Sequence, residues 1–213
     1  MNALILVDLQ YDFMPGGALA VTDGDQVIAV ANRLMPHFGM VVATQDWHPA
    51  DHLSFASQHD GKSVGEVVQL DGVEQVLWPE HCIQGTPGAE LHEDLNTQRI
   101  HQIVQKGTNT QIDSYSGFFD NGHRHVTGLA ALLKKNGVTE VSVMGLAADY
   151  CVKFTALDAV ELGLRTTLIS DGCRGVDLNP GDVERAVAEM QKAGVRVVVA
   201  DRWISERNPA KRD

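Results

Sequence analysis

The sequence has few basic residues, few cysteines and no long apolar run. It carries 17 lysines and arginines against 28 aspartates and glutamates, a formal net charge of -11. An acidic chain without a basic run argues against nucleic acid or an anionic membrane as a partner. No apolar stretch is long enough to cross a bilayer, and the start of the chain, MNALILVDLQ, lacks the basic region and cleavage site of a signal peptide. Three cysteines make no even disulfide framework, so we expect a reducing, cytoplasmic location.

The composition is that of a globular protein. Hydrophobic residues make up 44% of the 213 residues and charged residues 21%. No internal repeat, low-complexity tract or linker interrupts the chain, and its length suits one core. We therefore expect a single domain over residues 1–213, and a homo-oligomer is compatible with it.

Apolar strands and amphipathic helices alternate along the chain. Strands are predicted at 3–7, 41–44, 100–105, 141–144, 165–171 and 195–200, and helices at 24–37, 127–136, from Cys151 onward and at 180–193. This alternation predicts an α/β fold: a doubly wound parallel sheet of about six strands, order 3-2-1-4-5-6, with helices on both faces. The region between 49 and 99 is predicted to be a long, ordered, functional loop, and the tail beyond Arg202 to be frayed.

Polar side chains with useful chemistry follow four of the predicted strands. Asp8 follows the first, Asp46 and His48 the second, Lys106 the third and Cys151 the fourth. In the predicted order these strands are neighbours, and ligands bind beyond their carboxyl ends. Each residue also has an ordinary interpretation: a cap, a turn residue, a surface lysine or a small core cysteine. Together they favour a catalytic site.

Cys151 is the candidate nucleophile. It opens a helix, and the N–H groups of a helix N-terminus favour a thiolate. A nearby carboxylate can take the thiol proton, and a lysine beside both stabilises negative charge. The turn from Ala147 to Cys151 can supply backbone N–H groups for a tetrahedral oxyanion.

The spacing Asp46-x-His48 lets a carboxylate and an imidazole bind one metal ion. A third ligand has to come from the long loop, which offers His52, His59 and His81; His81 lies in the stiff segment WPEHC. Oxygen and nitrogen ligands with open positions suit Zn²⁺, Mn²⁺ or Fe²⁺. We interpret Cys82 as structural. The remaining histidines considered are interpreted as ordinary surface residues: His92, His101, His123 and His125.

Two loop aromatics, Phe13 and Trp78, are predicted at the same edge of the sheet. They can sandwich a flat heteroaromatic substrate. Simple packing of the loops explains them equally well.

Five segments carry a resemblance to a known family: LILVDLQYDF, TQDWHPADHLSF, LWPEHCIQGTPGAEL, VQKGTN and GLAADYCVKFTALDA. The chain resembles the nicotinamidase/pyrazinamidase branch of the isochorismatase-like cysteine hydrolases. The resemblance implies the doubly wound fold and the hydrolysis of nicotinamide to nicotinate and ammonia, a step of NAD salvage. It implies a thioester on Cys151, with Asp8 and Lys106 completing the triad, and activity on pyrazinamide as well.

The same resemblance implies a metal site and an oxyanion site. The metal ligands would be Asp46, His48 and His81, binding Zn²⁺ first, with Fe or Mn as alternatives. The Asp-x-His pair favours the nicotinamidase branch over the isochorismatase branch. His52 is a candidate fourth residue on the metal side. A cis peptide bond is expected between Leu146 and Ala147, with the amides of Ala147 and Cys151 facing the oxyanion.

Two other functions compete with this one. A related cysteine hydrolase acting on another small amide, such as a carbamoyl compound, would use the same residues. A non-catalytic metal-binding or redox-sensing protein could use His81, Cys82 and Cys151. The second alternative gives no reason for Lys106 or for Asp8 at the end of a strand.

Overall fold

A computed structural model describes residues 1–207 and contains two sheets. The strands are β1 (Asn2–Val7), β2 (Met40–Asp46), β3 (Val67–Leu70), β4 (Val73–Val76), β5 (Gln102–Lys106), β6 (Glu140–Leu146), β7 (Arg165–Arg174) and β8 (Arg196–Val198). The large sheet has the order β5-β2-β1-β6-β7-β8, and every neighbouring pair in it is parallel. The predicted fold class is confirmed. The hairpin strands β3 and β4, which we did not predict, shift the strand numbers.

The helices pack around a sheet whose central strands are buried on both faces. They are α1 (Gln26–Leu34), α2 (Leu129–Lys135), α3 (Cys151–Glu161), α4 (Asp182–Lys192) and α5 (Ala200–Arg207). Residues 3–7 of β1 are fully buried, which explains their uninterrupted apolar sequence. Helix α1 is shorter than predicted: the chain tightens into a 3-10 turn at Met35–His37, where Pro36 has no N–H to continue an α-helix.

The prediction of a frayed tail beyond Arg202 is wrong as far as Arg207. These residues form most of α5, and Trp203 in that helix is buried. Its ring stacks on Phe38 with centroids 4.3 Å apart. This aromatic contact and the ion pair of Arg207 with Glu140 attach a polar segment that shows little helical patterning.

The region predicted as a long functional loop is ordered and contains the antiparallel hairpin β3–β4. Asp71 and Gly72 connect the two strands with φ of 49° and 78°, the left-handed pair that a tight hairpin turn needs. Further along, His48 N–H donates to the carbonyl of Cys82 at 3.0 Å. This bond draws the segment carrying His81 to the end of β2.

No helix in residues 1–207 is both long and apolar enough to span a membrane.

Candidate active site

The carboxyl ends of four parallel strands bring the predicted residues together. Asp8 follows β1, Asp46 ends β2, Lys106 ends β5, and Cys151 opens α3 after β6. The β2–β5 register places Asp46 directly beside Lys106. All four side chains are buried.

Lys106 joins the other three. Its Nζ lies 2.6 Å from Asp46 Oδ1, 2.9 Å from Asp8 Oδ2 and 3.4 Å from Cys151 Sγ. It also donates to the carbonyl of Ser114 at 2.9 Å. Burial lowers the pKa of the ammonium, but the two carboxylates more than offset this and hold the pKa well above its usual value. Lys106 is therefore a permanent positive charge beside the thiol.

Asp8 is arranged as a base that can hold a proton. Its backbone is left-handed, with φ of 51°, which turns the side chain from the end of β1 into the site. The hydroxyl of Thr44 donates to Asp8 Oδ1 at 2.6 Å. Burial raises the pKa of the carboxyl above its usual value, although Lys106 lowers it in part. A raised pKa suits a group that accepts a proton and later returns it.

The surroundings of Cys151 favour the neutral thiol. Burial raises its pKa well above the usual value, and Lys106 lowers it only in part, because Asp8 and Asp46 add to the effect of burial. These surroundings oppose the thiolate that the helix N-terminus is expected to favour, and that expectation stays a prediction. The geometry instead favours removal of the proton when the thiol reacts, with a carboxylate of the same cluster as the base.

The turn before Cys151 has an unusual backbone. Gly145 has φ of 127°, and the peptide bond between Leu146 and Ala147 is cis, as the resemblance implies. Within the turn, Ala148 N–H donates to Arg174 O, and the N–H groups of Tyr150 and Val152 both donate to Ala147 O. The role of the Ala147 and Cys151 amides at an oxyanion stays a prediction.

Asp46, His48 and His81 form a group that fits a metal ion. Their ligand atoms all lie within 4.8 Å of one another. His48 Nε2 lies 3.4 Å and His81 Nε2 3.8 Å from Asp46 Oδ2. Two ligands on one tetrahedral zinc ion are about 3.4 Å apart, because each bond is about 2.0–2.2 Å long.

The other ring nitrogen of each imidazole is already engaged. Nδ1 of His48 lies 2.9 Å from Gly107 O, and Nδ1 of His81 lies 2.8 Å from Pro79 O, so each Nδ1 donates and each Nε2 keeps a free lone pair. Among residues 1–207, His48 Nε2 is buried without a hydrogen-bond partner. Burial lowers the pKa of His48, but Asp46 more than offsets it and raises the pKa to about 9; Asp46 thus favours a proton on Nε2, and a metal ion would take the place of that proton. These residues support a divalent metal ion.

His52 lies beside the metal-ligand group. Its ring is 4.4 Å from that of His48, centroid to centroid. The backbone N–H of Ser54 donates to its Nδ1 at 3.1 Å, so the neutral ring carries its proton on Nε2. That tautomer does not favour ligation through Nε2, and the predicted participation of His52 in the metal site stays untested.

A narrow slot opens onto the cysteine and the metal-ligand group. Its lining includes Phe13, Leu19, Trp78, Asp113, Tyr115, Ala147, Tyr150 and Val176, besides Asp46, His81 and Cys151. Phe13 meets His81 edge-on at 5.6 Å, and Trp78 meets Tyr150 edge-on at 4.8 Å. The structure thus brings both predicted aromatics to the slot, and their contact with substrate stays a prediction.

Sequence reasoning missed part of the lining. Tyr150 directly precedes Cys151, the candidate nucleophile, and that adjacency was an available signal. Tyr115 is placed by a hydrogen bond from Trp78 Nε1 to its hydroxyl at 3.1 Å, which only the folded chain shows. For Leu19 and Val176 the sequence offers no signal.

The fold and the site define the class: an α/β enzyme with a cysteine, a lysine and a carboxylate in one buried cluster beside a metal-ligand group. The chain belongs to the isochorismatase family, since the model of the Isochorismatase domain matches residues 2–202. A nicotinamidase of Escherichia coli (strain K12) is 50% identical over 206 residues, which cover 95% of this chain and 96% of that protein.

Solved structures agree with this assignment. A nicotinamidase/pyrazinamidase of Acinetobacter baumanii is 48% identical and superimposes with a TM-score of 0.92, covering 95% of this chain and 97% of that one. A pyrazinamidase of Pyrococcus horikoshii in complex with zinc is 39% identical with a TM-score of 0.74, covering 93% of this chain and 98% of that one.

Proposed function

We propose that this protein is a metal-containing cysteine amidohydrolase that converts nicotinamide to nicotinate and ammonia in NAD salvage, and that it also accepts pyrazinamide. The observation that carries the proposal is the buried cluster at Lys106, whose Nζ contacts Asp8, Asp46 and the Cys151 thiol. The similarity to nicotinamidases over nearly the whole chain supports the choice of substrate. The reaction is placed in the cytoplasm, where the three free thiols stay reduced.

The first half of the reaction forms the thioester. Asp8 takes the proton of Cys151 as the sulfur attacks the carboxamide carbon. The amides of Ala147 and Cys151 donate to the oxygen of the tetrahedral intermediate. The carbon–nitrogen bond then breaks, and Asp8 returns its proton to the leaving nitrogen, which departs as ammonia. This step leaves the acyl group on Cys151 and Asp8 ionised.

The second half releases nicotinate. Asp8 takes a proton from water, whose oxygen attacks the thioester carbon, and the thiolate of Cys151 leaves. The proton returns to sulfur, which restores the resting thiol. Throughout, Lys106 stabilises the charge that moves between sulfur and carboxylate, because it stays within contact distance of both.

The slot orients the substrate ring. Phe13 and Trp78 lie on its walls and would pack against the pyridine ring. Asp46, His48 and His81 would hold a divalent ion, with Zn²⁺ as the first choice and Fe or Mn as alternatives, and that ion would supply a Lewis acid for the pyridine nitrogen. These residues thereby set the distance between the carboxamide and Cys151.

Ammonia release from nicotinamide tests the proposal. Replacing the nucleophile in Cys151→Ala should lower kcat by at least about 10⁴-fold, because no thioester can form. Cys173→Ala is the matched control: this buried cysteine lies on β7, outside the slot, and its loss should leave turnover within a few-fold. Wild-type turnover by Cys151→Ala, or equal turnover of benzamide, which lacks the ring nitrogen, would contradict the proposal.

A further inference from the structure

A second group of metal-ligand side chains lies outside the active site, between α3 and the loop that precedes α2. His123, Asp158 and Glu161 each offer a ligand atom, and these atoms all lie within 4.8 Å of one another. His123 comes from the loop, while Asp158 and Glu161 are three residues apart on α3 and therefore share one face of the helix. None of the three belongs to the slot or to the Asp46 group.

Asp158 is the residue that calls for a cation. It is only 5% exposed, and burial raises the pKa of its carboxyl, which a hydrogen bond from Ser116 and the nearby His123 offset only in part. Burial of a carboxylate with so few partners is costly, and no well-aligned donor reaches Oδ2 within residues 1–207, so a cation beside it would complete the site. Its other oxygen, Oδ1, lies 3.3 Å from His123 Nε2.

The spacing of these two atoms suits coordination. Two ligands on one tetrahedral zinc ion lie about 3.4 Å apart when each bond is about 2.0–2.2 Å long. The distance from His123 Nε2 to Asp158 Oδ1 matches this value. Glu161 is exposed at the open side of the pair and can supply a third oxygen, leaving the fourth position to water.

The loop holds the imidazole in place. Asp120 accepts the backbone N–H groups of Gly122 and Arg124 on Oδ1 and that of His125 on Oδ2, all within 3.0 Å. The His123 ring stacks on Phe119 with centroids 4.7 Å apart and planes inclined by 16°. A ligand fixed in this way loses little conformational entropy when it binds a metal.

We propose that His123, Asp158 and Glu161 form a second metal site, selective for zinc-like ions and separate from the catalytic metal. One imidazole and two carboxylates suit Zn²⁺ and disfavour Mg²⁺, which prefers oxygen ligands and water. The interpretation of His123 as an ordinary surface residue is thereby revised. The His123 side chain is 47% exposed, so an ion can reach the site from solvent.

The site would join two elements that both serve the active site. Asp158 and Glu161 lie on the helix that Cys151 opens. His123 lies on the loop whose Ser114 carbonyl accepts the hydrogen bond from Lys106. A bound ion would link this loop to α3 and would oppose their separation.

Zinc content measured by equilibrium dialysis and mass spectrometry tests the proposal on the full chain. Wild-type protein should hold two zinc ions per chain, one catalytic and one in the new site. His123→Ala and Asp158→Asn should each bind the second ion at least about tenfold more weakly, since loss of a metal-site partner costs that much or more. Mg²⁺ at the same concentration should not displace it.

Two variants serve as controls. His125→Ala removes an exposed histidine of the same loop that lies outside the group, and it should keep both ions. His48→Ala removes a catalytic ligand and should keep the second ion while losing the first, so the two sites are counted separately. A single ion per wild-type chain, or two ions in His123→Ala, would overturn the proposal.

Discussion

Lys106 is a cation held almost wholly out of water. It is only 2% exposed, and its Nζ contacts the carboxylates of Asp8 and Asp46, which are buried as well. A buried charge costs several kcal/mol to desolvate, and close partners must repay that cost. Burial of each of the three charges therefore depends on the other two. The same arrangement places the positive charge of Lys106 beside the Cys151 thiol.

Replacing Lys106 by Met tests this dependence. The change leaves two buried carboxylates without their cation, and we expect it to lower the free energy of unfolding by about 3–5 kcal/mol, as for other broken buried ion pairs. Urea unfolding of the metal-free protein measures this quantity. Turnover of nicotinamide should be lost as well.

Lys153→Met is the matched control for this change. Lys153 Nζ lies 3.4 Å from Glu189, a mainly exposed carboxylate, and 4.5 Å from the ring of Phe154. A surface pair of this kind contributes about 1 kcal/mol or less. An equal decrease in the free energy of unfolding of the two variants would show that the buried Lys106 charge contributes no more to stability than a surface ion pair does.

The residues with reactive groups could be predicted from the sequence, and most of their surroundings could not. Asp8, Lys106 and Cys151 follow apolar strands, so the rule that ligands bind beyond strand ends was enough to bring them together. The protonation of Cys151 depends on surroundings that the sequence does not show: a helix N-terminus can be read from the sequence, while burial beside two carboxylates cannot. Tyr115 and Val176 reach the slot through tertiary packing alone.

At the scale of elements, the junction of β1 and β6 is the tightest part of the site. Gly145 on β6 pairs with Val7 on β1, the residue before Asp8. A Cβ at Gly145 would lie 2.1 Å from the carbonyl oxygen of Val7, and its φ of 127° is unfavourable for any other residue. Only glycine lets the two strands approach here.

Gly145→Ala should therefore strongly destabilise the protein. Gly137→Ala is the control, since Gly137 also has positive φ, at 63°, but open space around its Cβ position. The control should lose about 1–2 kcal/mol from backbone strain. Gly145→Ala should lose at least about 2 kcal/mol more, because of the clash with Val7. Equal midpoints of urea unfolding for the two variants would contradict this account.

The strands of the large sheet and most of the helices around it could be predicted, because each shows a regular pattern of apolar residues in the sequence. The hairpin β3–β4 and helix α5 were not. The strands of the hairpin are short and only partly buried, so their sequence lacks the apolar alternation of a longer strand with one buried face. Helix α5 is held by tertiary contacts between residues far apart in sequence, such as Trp203 with Phe38 and the Ala200 N–H with Asp171.

At the scale of the whole molecule, the catalytic metal should contribute to stability. Metal bound only by the folded chain adds about 2.7 kcal/mol when its free concentration is 100 times Kd, which is roughly 5–10 °C in Tm for a domain of this size. Chelation should remove this increment, and Zn²⁺ should restore it. Thermal unfolding followed by circular dichroism measures the shift.

The measurement is made on the His123→Ala variant, because this substitution removes any contribution from the second metal site. In that background, adding His48→Ala should abolish the response to Zn²⁺, because His48 is one of the three grouped ligands. A response that survives both substitutions would place the stabilising ion elsewhere.

The order of the strands also has a consequence for folding. The central strand β1 pairs with β2 on one side and with β6 on the other, so Asn2 meets Glu140. Closing so long a loop is entropically costly and slow compared with local pairing. Asp8 comes near the start of the chain and Cys151 late, so a nascent chain on the ribosome holds the base long before the thiol has been made. We therefore expect catalytic competence to require completion of the central β1–β6 pairing.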